Sequence, residues 1–424
     1  MNSALRFPGL KLLFLVLSAT LLTQTVAQDP VRVATGWGGA ELAAFVEVLE
    51  ASGVPFEILN ISTETDLGPL VAGGNAPDIA QMPRPGQVAS FARDGAIVPL
   101  TSGDNPIIDP DFLAANQSPG VIDVGRFDGE LFGLMVKISS KGTFFYRPDS
   151  LAALGLGPPT TFDELIALGD AYVANGQVPF SMPAQDGWVL TDYFETLYIN
   201  TAGPDNYHKL FVTHEVEWTD PTVVRVMELL HQIFDPADER IAGGVDGALA
   251  TGFRDGINLV FREDPAAELF YSGSFVAGIV ESTFEGLTCG DDFDFFDFPV
   301  ASDEFGSTLM GGGDLIMAFN DRPEVRELMT WLAGVESATI WATAEEGAIL
   351  SPNVNVPPES YSPCKAKEAA QIAAADVFVF DGSDLAPGAV GGDAMFTALQ
   401  DFLAEPDELM DILEFLEDAA DAAY

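Results

Sequence analysis

The chain reads as an α/β protein of two lobes, on three observations. Strand and helix signals alternate along its whole length, the pattern of packed α/β layers and not of a β-sandwich or a helical bundle. Its character changes near Gly142 and again near Ser307, so that one body is left and later re-entered. With 424 residues and 48% hydrophobic content it can build two or three domains with sizeable cores.

Arg6 and Lys11, an apolar run from Leu12 to Leu22 and the small-residue site Thr25-Val26-Ala27 read as a signal peptide over 1–27, with the mature chain starting near Gln28. No later run reaches the roughly 18 apolar residues of a membrane span, and no cysteine at the cleavage site suggests lipid anchoring. A soluble periplasmic product is expected.

Val31 to Ala34 reads as the first strand, and Glu41 to Glu50 as a helix with Leu42, Phe45, Val46 and Leu49 on one face. Gly36-Trp37-Gly38-Gly39 forms the turn between them. Phe56 to Ile61 and Pro77 to Met82 continue the strand, turn and helix order. Lys137 to Tyr146 is extended, and Pro148 with Gly157-Pro158-Pro159 punctuates the start of a second unit. There Thr161 and Glu164 form a capping box ahead of the apolar stripe Phe162, Leu165, Ile166, Tyr172 and Val173. Gly311-Gly312-Gly313-Asp314 is read as a glycine-rich turn before a strand at Leu315 to Phe319, and Pro323 opens the next helix. Leu409, Ile412, Leu413 and Leu416 mark a final surface helix. The expected division is 28–142 plus 308–350 for lobe 1 and 143–307 plus 351–424 for lobe 2.

Eighteen Lys and Arg face 65 Asp and Glu, a net charge of −47, or −49 once Arg6 and Lys11 are removed. Nucleic acid is excluded as a partner, because its binding rests on basic side chains neutralising phosphates. The acids are spread along the chain, which suits a solvated surface in salty surroundings, where a Debye length of about 4 Å screens self-repulsion. A marine or halotolerant source is expected.

Cys289 and Cys364 are the two cysteines, and in an oxidising compartment they are disulfide candidates worth about 4–5 kcal/mol in a chain-entropy model. Two buried free thiols are the alternative. Two cysteines build no zinc site alone, and His208, His214 and His231 lack HExxH spacing, so neither metal nor cofactor is expected. Gly311 to Gly313 is no P-loop, since no Gly-Lys-Ser/Thr follows, and Gly36 to Gly39 lacks the third glycine of a dinucleotide fingerprint. Asp291 to Phe298 alternates acid and aromatic, a half-buried strand and not a calcium loop.

Several segments, in order, resemble the sugar-specific solute-binding proteins of ABC importers, most closely their α-glucoside branch. They are Gly73 to Ile79, Lys137 to Pro148, Asp163 to Ile166, Thr201-Ala202-Gly203-Pro204, Asp291 to Phe296, Gly311 to Arg326 and Asp384 to Gly392. The resemblance covers nearly all of the mature chain. It implies a periplasmic-binding-protein fold of two α/β lobes with a hinge crossed more than once and a ligand cleft between them. It also implies a small carbohydrate ligand, an ABC permease as partner, a monomer and no catalysis. Two departures stand out. The branch pattern Gly-Trp-Pro-x-Thr-Asp-Trp is here Gly187-Trp188-Val189-Leu190-Thr191-Asp192-Tyr193, and Arg147 replaces a usual asparagine.

A sugar offers apolar C–H faces and many hydroxyls, so its receptor needs flat aromatics with acids, amides and cations around them. Trp37 lies in a glycine-flanked turn after the first strand, and Trp188 follows Asp186-Gly187 in a loop-like stretch. Glu41, Asp192 and Asp314 lie beside aromatics or glycines, Gly312 lets backbone approach a ligand, and Lys137 is a scarce cation beside the first crossing. Gln81 and Arg84 complete the expected ligand-binding set. The bland readings are a core tryptophan, a helix-dipole role for Glu41 and a salt bridge for Lys137. An exported glycoside hydrolase would also combine tryptophans with acids, but it needs two suitably spaced carboxylates, and no catalytic signature is present. A polyol or compatible solute is the alternative ligand.

Overall fold

The computed structural model describes residues 29–235, 239–344 and 347–424; the expected signal peptide lies outside them. In chain order the strands are β1 (Val31–Thr35), β2 (Phe56–Asn60), β3 (Ile79–Met82), β4 (Arg126–Phe127), β5 (Glu130–Leu131) and β6 (Gly133–Ser140). They continue as β7 (Thr143–Tyr146), β8 (Phe180–Ser181), β9 (Leu269–Ser272), β10 (Asp294–Asp297), β11 (Thr308–Ala318) and β12 (Val377–Phe380). Two main sheets form, each the centre of one lobe of a periplasmic-binding-protein fold. The first has the order β12-β11-β3-β1-β2, with β6 also pairing β11; the second has the order β10-β7-β9-β8.

The chain passes from the first sheet to the second between β6 and β7, and returns between β10 and β11. The expected division places 351–424 in the second lobe; β12 instead joins the first sheet, parallel to Thr308–Gly311 of β11. Its Val-Phe alternation announces a strand but carries no signal of which sheet receives it. The helices Met395–Ala404 and Leu409–Ala423 that follow pack into the second lobe, where Phe402, Leu413 and Leu416 join Phe194, Phe211 and Trp218 in one core.

Alternation of buried positions builds the first lobe. Val31 and Val33 of β1 meet Phe45, Val48 and Leu49, which recur at helical spacing on the helix Gly39–Ser52. Each such side chain, fully buried, contributes about 1.5–3 kcal/mol of transfer free energy. In the second lobe the capping box is present: Thr161 Oγ1 accepts from the Glu164 N–H and Glu164 accepts from the Thr161 N–H, opening the helix Phe162–Ala174. Cys289 and Cys364 are joined, with Cα atoms 5.9 Å apart. That link ties the loop before β10 to the first turn of the helix Pro363–Ala374.

Two local expectations are corrected. Gly311 to Asp314 is no turn but the middle of β11, with Gly311, Gly312, Gly313 and Asp314 opposite Ser140, Ser139, Ile138 and Lys137 of β6. A Cβ on Gly313 would lie 2.3 Å from the Lys137 carbonyl oxygen, so glycine here serves close strand approach. Trp188 is not in a loop; it opens the helix Trp188–Phe211. Gly187 before it has φ +76° and ψ −50°, and a Cβ there would lie 2.6 Å from Phe396. Only glycine makes that turn without strain.

Candidate functional site

A cleft of about 780 Å³ opens between the two lobes, within the ~300–1,000 Å³ of small-molecule sites. Strand register assembles its first wall. Asp314 stands directly opposite Lys137, and Gln81 of β3 pairs with Ile316, two residues along the same face of β11 from Asp314. The contacts follow: Gln81 Nε2 donates to Asp314 Oδ1 at 2.6 Å, and Lys137 Nζ lies 3.5 Å from Asp314 Oδ2. Lys137 Nζ also donates to Glu41 Oε1 at 2.6 Å, from the first turn of the helix Gly39–Ser52. Burial works against the Lys137 charge, but Glu41 and Asp314 outweigh it and hold its pKa above the usual lysine value. Burial likewise raises the Glu41 pKa, and Lys137 overrides it to bring it below the usual glutamate value. Lys137 and Glu41 thus carry opposite charges at neutral pH, and the ammonium lies between the Glu41 and Asp314 carboxyl groups.

Trp37 follows β1 at the end of the sheet where α/β proteins present ligands. It is 6% exposed, packed edge-on against Phe45 at 4.9 Å and Trp341 at 5.1 Å. It is therefore core and cleft wall together. Gln81 Oε1 accepts from the Gly36 N–H at 3.0 Å, which makes Gln81 a tie between the Trp37 turn and Asp314.

The second wall is aromatic. Trp188 lies 4.9 Å from Phe253, the first residue of the helix Phe253–Phe261, and 6.2 Å from Phe275, which follows β9. Asp186 Oδ2 accepts from the Phe253 N–H at 2.7 Å and fixes that helix start beside Trp188. The Lys137 ammonium stands 5.9 Å from both the Trp37 and the Phe275 ring centroids, between the aromatics of the two lobes. Such an arrangement can stack a sugar ring and bond its hydroxyls from opposite sides.

Of the nine expected ligand-binding residues, Trp37, Glu41, Gln81, Arg84, Lys137, Trp188 and Asp314 line the cleft. Asp192 and Gly312 do not. Asp192 is fully buried on the helix Trp188–Phe211, its Oδ1 3.7 Å from Lys141 Nζ, and among the described residues neither carboxylate oxygen has a hydrogen bond of normal geometry. Burial, then the nearby carboxylates, push its pKa well above the usual aspartate value despite Lys141. Gly312 makes room for the stem of that lysine, since a Cβ there would lie 2.8 Å from Lys141 Cε. Arg84 lines the cleft but spends its charge on two acids, 3.2 Å from Glu64 and 3.3 Å from Asp384.

Sequence reasoning missed Lys141, Phe253, Arg254, Phe275, Asp381 and Asp384. Lys141 bonds Asp381 and lies 3.2 Å from Asp384, closing a charged floor at the hinge. Its scarcity in a lysine-poor chain was the available signal; Phe253 and Phe275 look like core residues until their helix and strand ends are located.

A sequence profile of the family described as bacterial extracellular solute-binding protein matches residues 60–339. The chain is 31% identical over 370 residues to the osmoprotective compounds-binding protein GgtB of Synechocystis sp., an alignment spanning 86% of this chain and 85% of that one. It is 30% identical over 389 residues to the alpha-glucosides-binding periplasmic protein AglE of Rhizobium meliloti, spanning 87% and 82%. Among solved structures, the bacterial solute receptor AcbH, described as preferring β-D-galactopyranose, superposes with a TM-score of 0.81 at 18% identity over 93% of this chain and 98% of its own. That likeness bears on the fold alone. Among the described residues no helix is long and apolar enough to cross a membrane.

Proposed function

We propose, for a chain that belongs to the bacterial extracellular solute-binding protein family, that it is the periplasmic receptor of an ABC importer and captures a small α-glucoside between its lobes. The observation that carries this reading is the cleft with unlike walls: Glu41, Lys137 and Asp314 on one side, Trp188, Phe253 and Phe275 on the other. Carboxylates and an ammonium satisfy hydroxyls, and aromatic faces take the apolar side of a ring. The similarity to AglE supports the α-glucoside.

Three or four charge-assisted hydrogen bonds at about 1.5–3 kcal/mol each, with stacking, reach the roughly 8 kcal/mol of a micromolar complex after ordering costs. No covalent step is required, and the ligand leaves intact for a permease. Because only differential affinity shifts an open–closed equilibrium, the ligand must touch both walls. A monomer suffices for that cycle.

A second reading, a polyol or other compatible solute, is favoured by the similarity to GgtB and by the acidic composition. A thermal-shift panel of maltose, trehalose, sucrose, glucosylglycerol, glycerol and betaine, followed by calorimetry, separates the two. Stabilisation by maltose, trehalose or sucrose and none by glycerol or betaine supports the first reading; stabilisation by glycerol or betaine and none by those three sugars overturns it.

A further inference from the structure

Beside the cleft, and sharing Glu41, Lys137, Arg254 and Phe275 with it, lies a side pocket of about 260 Å³. Lys137, Arg254 and Lys365, three of the chain's 18 basic residues, line it, and Glu41 is the one carboxylate among its described lining residues. In a chain with 65 acidic residues this gathers cations at one place, with Glu41, Asp314 and Glu368 balancing Lys137 and Lys365.

The three cations differ in their partners. Lys137 is held at 2.6 Å by Glu41, and Lys365 is held at 3.0 Å by the buried Glu368. Arg254, exposed in the first turn of the helix Phe253–Phe261, has no hydrogen bond or ion pair among the described residues. Arg84, Lys137 and Lys141, the other cations on the cleft wall, are all paired. The described lining also includes the small residues Gly38, Gly39, Ala40, Gly347 and Ala348. There the 14-residue helix Gly39–Ser52 begins, and Gly38 gives it no side-chain cap, so its positive end faces the same space.

We propose that this side pocket is a subsite for a carboxylate carried on the aglycone of the bound glycoside, and that Arg254 recognises it. The inference rests on the glycoside reading of the cleft and names a substrate class within it. The sugar ring occupies the cleft, and a short acidic aglycone such as glycerate reaches past Glu41 to the guanidinium. A neutral hydroxyl offers the guanidinium a single weaker bond, whereas a carboxylate meets its planar fork through two short, charge-assisted bonds; Glu41, which also feels the Arg254 charge, is already bonded to Lys137. The negative surface elsewhere does not forbid this, because exposed charges beyond a Debye length of about 8 Å at physiological salt are largely screened, and a contact pair is not.

The test is calorimetry at neutral pH with α-glucosylglycerol and α-glucosylglycerate, which differ by one CH2OH against one carboxylate. The wild type binds the acid about tenfold or more tightly than the neutral glycoside. Arg254→Gln brings that ratio to about one, and Arg254→Lys, which keeps the charge without the fork, restores part of it. Equal or tighter binding of the neutral glycoside by the wild type, or an unchanged ratio in Arg254→Gln, overturns the subsite and leaves the receptor reading standing. If neither these two nor any sugar of the thermal-shift panel binds, the receptor reading falls and the subsite falls with it.

Discussion

Trp188 is half-buried, with Phe253 and Phe275 supporting its ring and the rest of the indole facing the cleft. Removing it deletes a stacking face and little of the core. Trp188→Ala therefore weakens the best glycoside by roughly 1–3 kcal/mol in calorimetry; unchanged affinity would take the residue out of the site. Asp384 gives a pH signature. Burial, then the Asp381 charge, push its pKa up to about 6 against the opposing pull of Lys141 and Arg84. An aspartate whose folded pKa is raised favours the native state while protonated, below its unfolded pKa, and that contribution is lost as pH rises through the folded value. Wild-type stability should thus carry a component that falls between about pH 4 and pH 6, on the order of 1–3 kcal/mol. Denaturant titrations across that window should show the component absent in Asp384→Asn; parallel curves would contradict it. Residues were legible where a neighbour signalled them, as the glycines around Trp37 did. No pattern in the chain announces that Arg84 meets Asp384, 300 positions away.

At the scale of elements, β11 does most to place the site. One strand carries Asp314 opposite Lys137, pairs with β3 so that Gln81 reaches Asp314, and receives β12 at the hinge. Its glycines read as a turn in sequence because glycine carries no alternation of apolar and polar side chains. Only the partner strand, 2.3 Å from where the Gly313 Cβ would stand, explains them. Gly313→Ala must push a backbone carbonyl aside, so a loss on the order of 2–4 kcal/mol is expected in urea unfolding, with weakened ligand binding because Lys137 moves. An unshifted midpoint would mean that β6 and β11 are looser than described. Elements with caps were easily read: the helix Phe162–Ala174 begins at its capping box, and the helix Pro323–Leu332 at its proline. The start of the helix Trp188–Phe211 was not, since Gly187 offers no capping side chain.

For the whole molecule, alternating strand and helix signals and two changes of sheet made the two-lobed fold legible from sequence. The cleft was legible only in outline, because its second wall is built from residues that a one-dimensional pattern assigns to the core. Charge acts at this scale too. With 65 acids against 18 bases, self-repulsion should weaken the folded state at low ionic strength, where the Debye length is about 30 Å, and relax as it falls to about 3 Å at 1 M salt. The thermal midpoint should climb steadily with sodium chloride across that range; a flat profile would show that the acids are already locally compensated. The central claim is that one intact glycoside touches both lobes at once. A crystal structure grown with the tightest-binding glycoside tests it most directly. The expected result is an uncleaved sugar bonded to Glu41, Lys137 or Asp314 on one side and stacked on Trp188 or Phe275 on the other. A ligand held by one lobe alone, or cleaved in place, would contradict it.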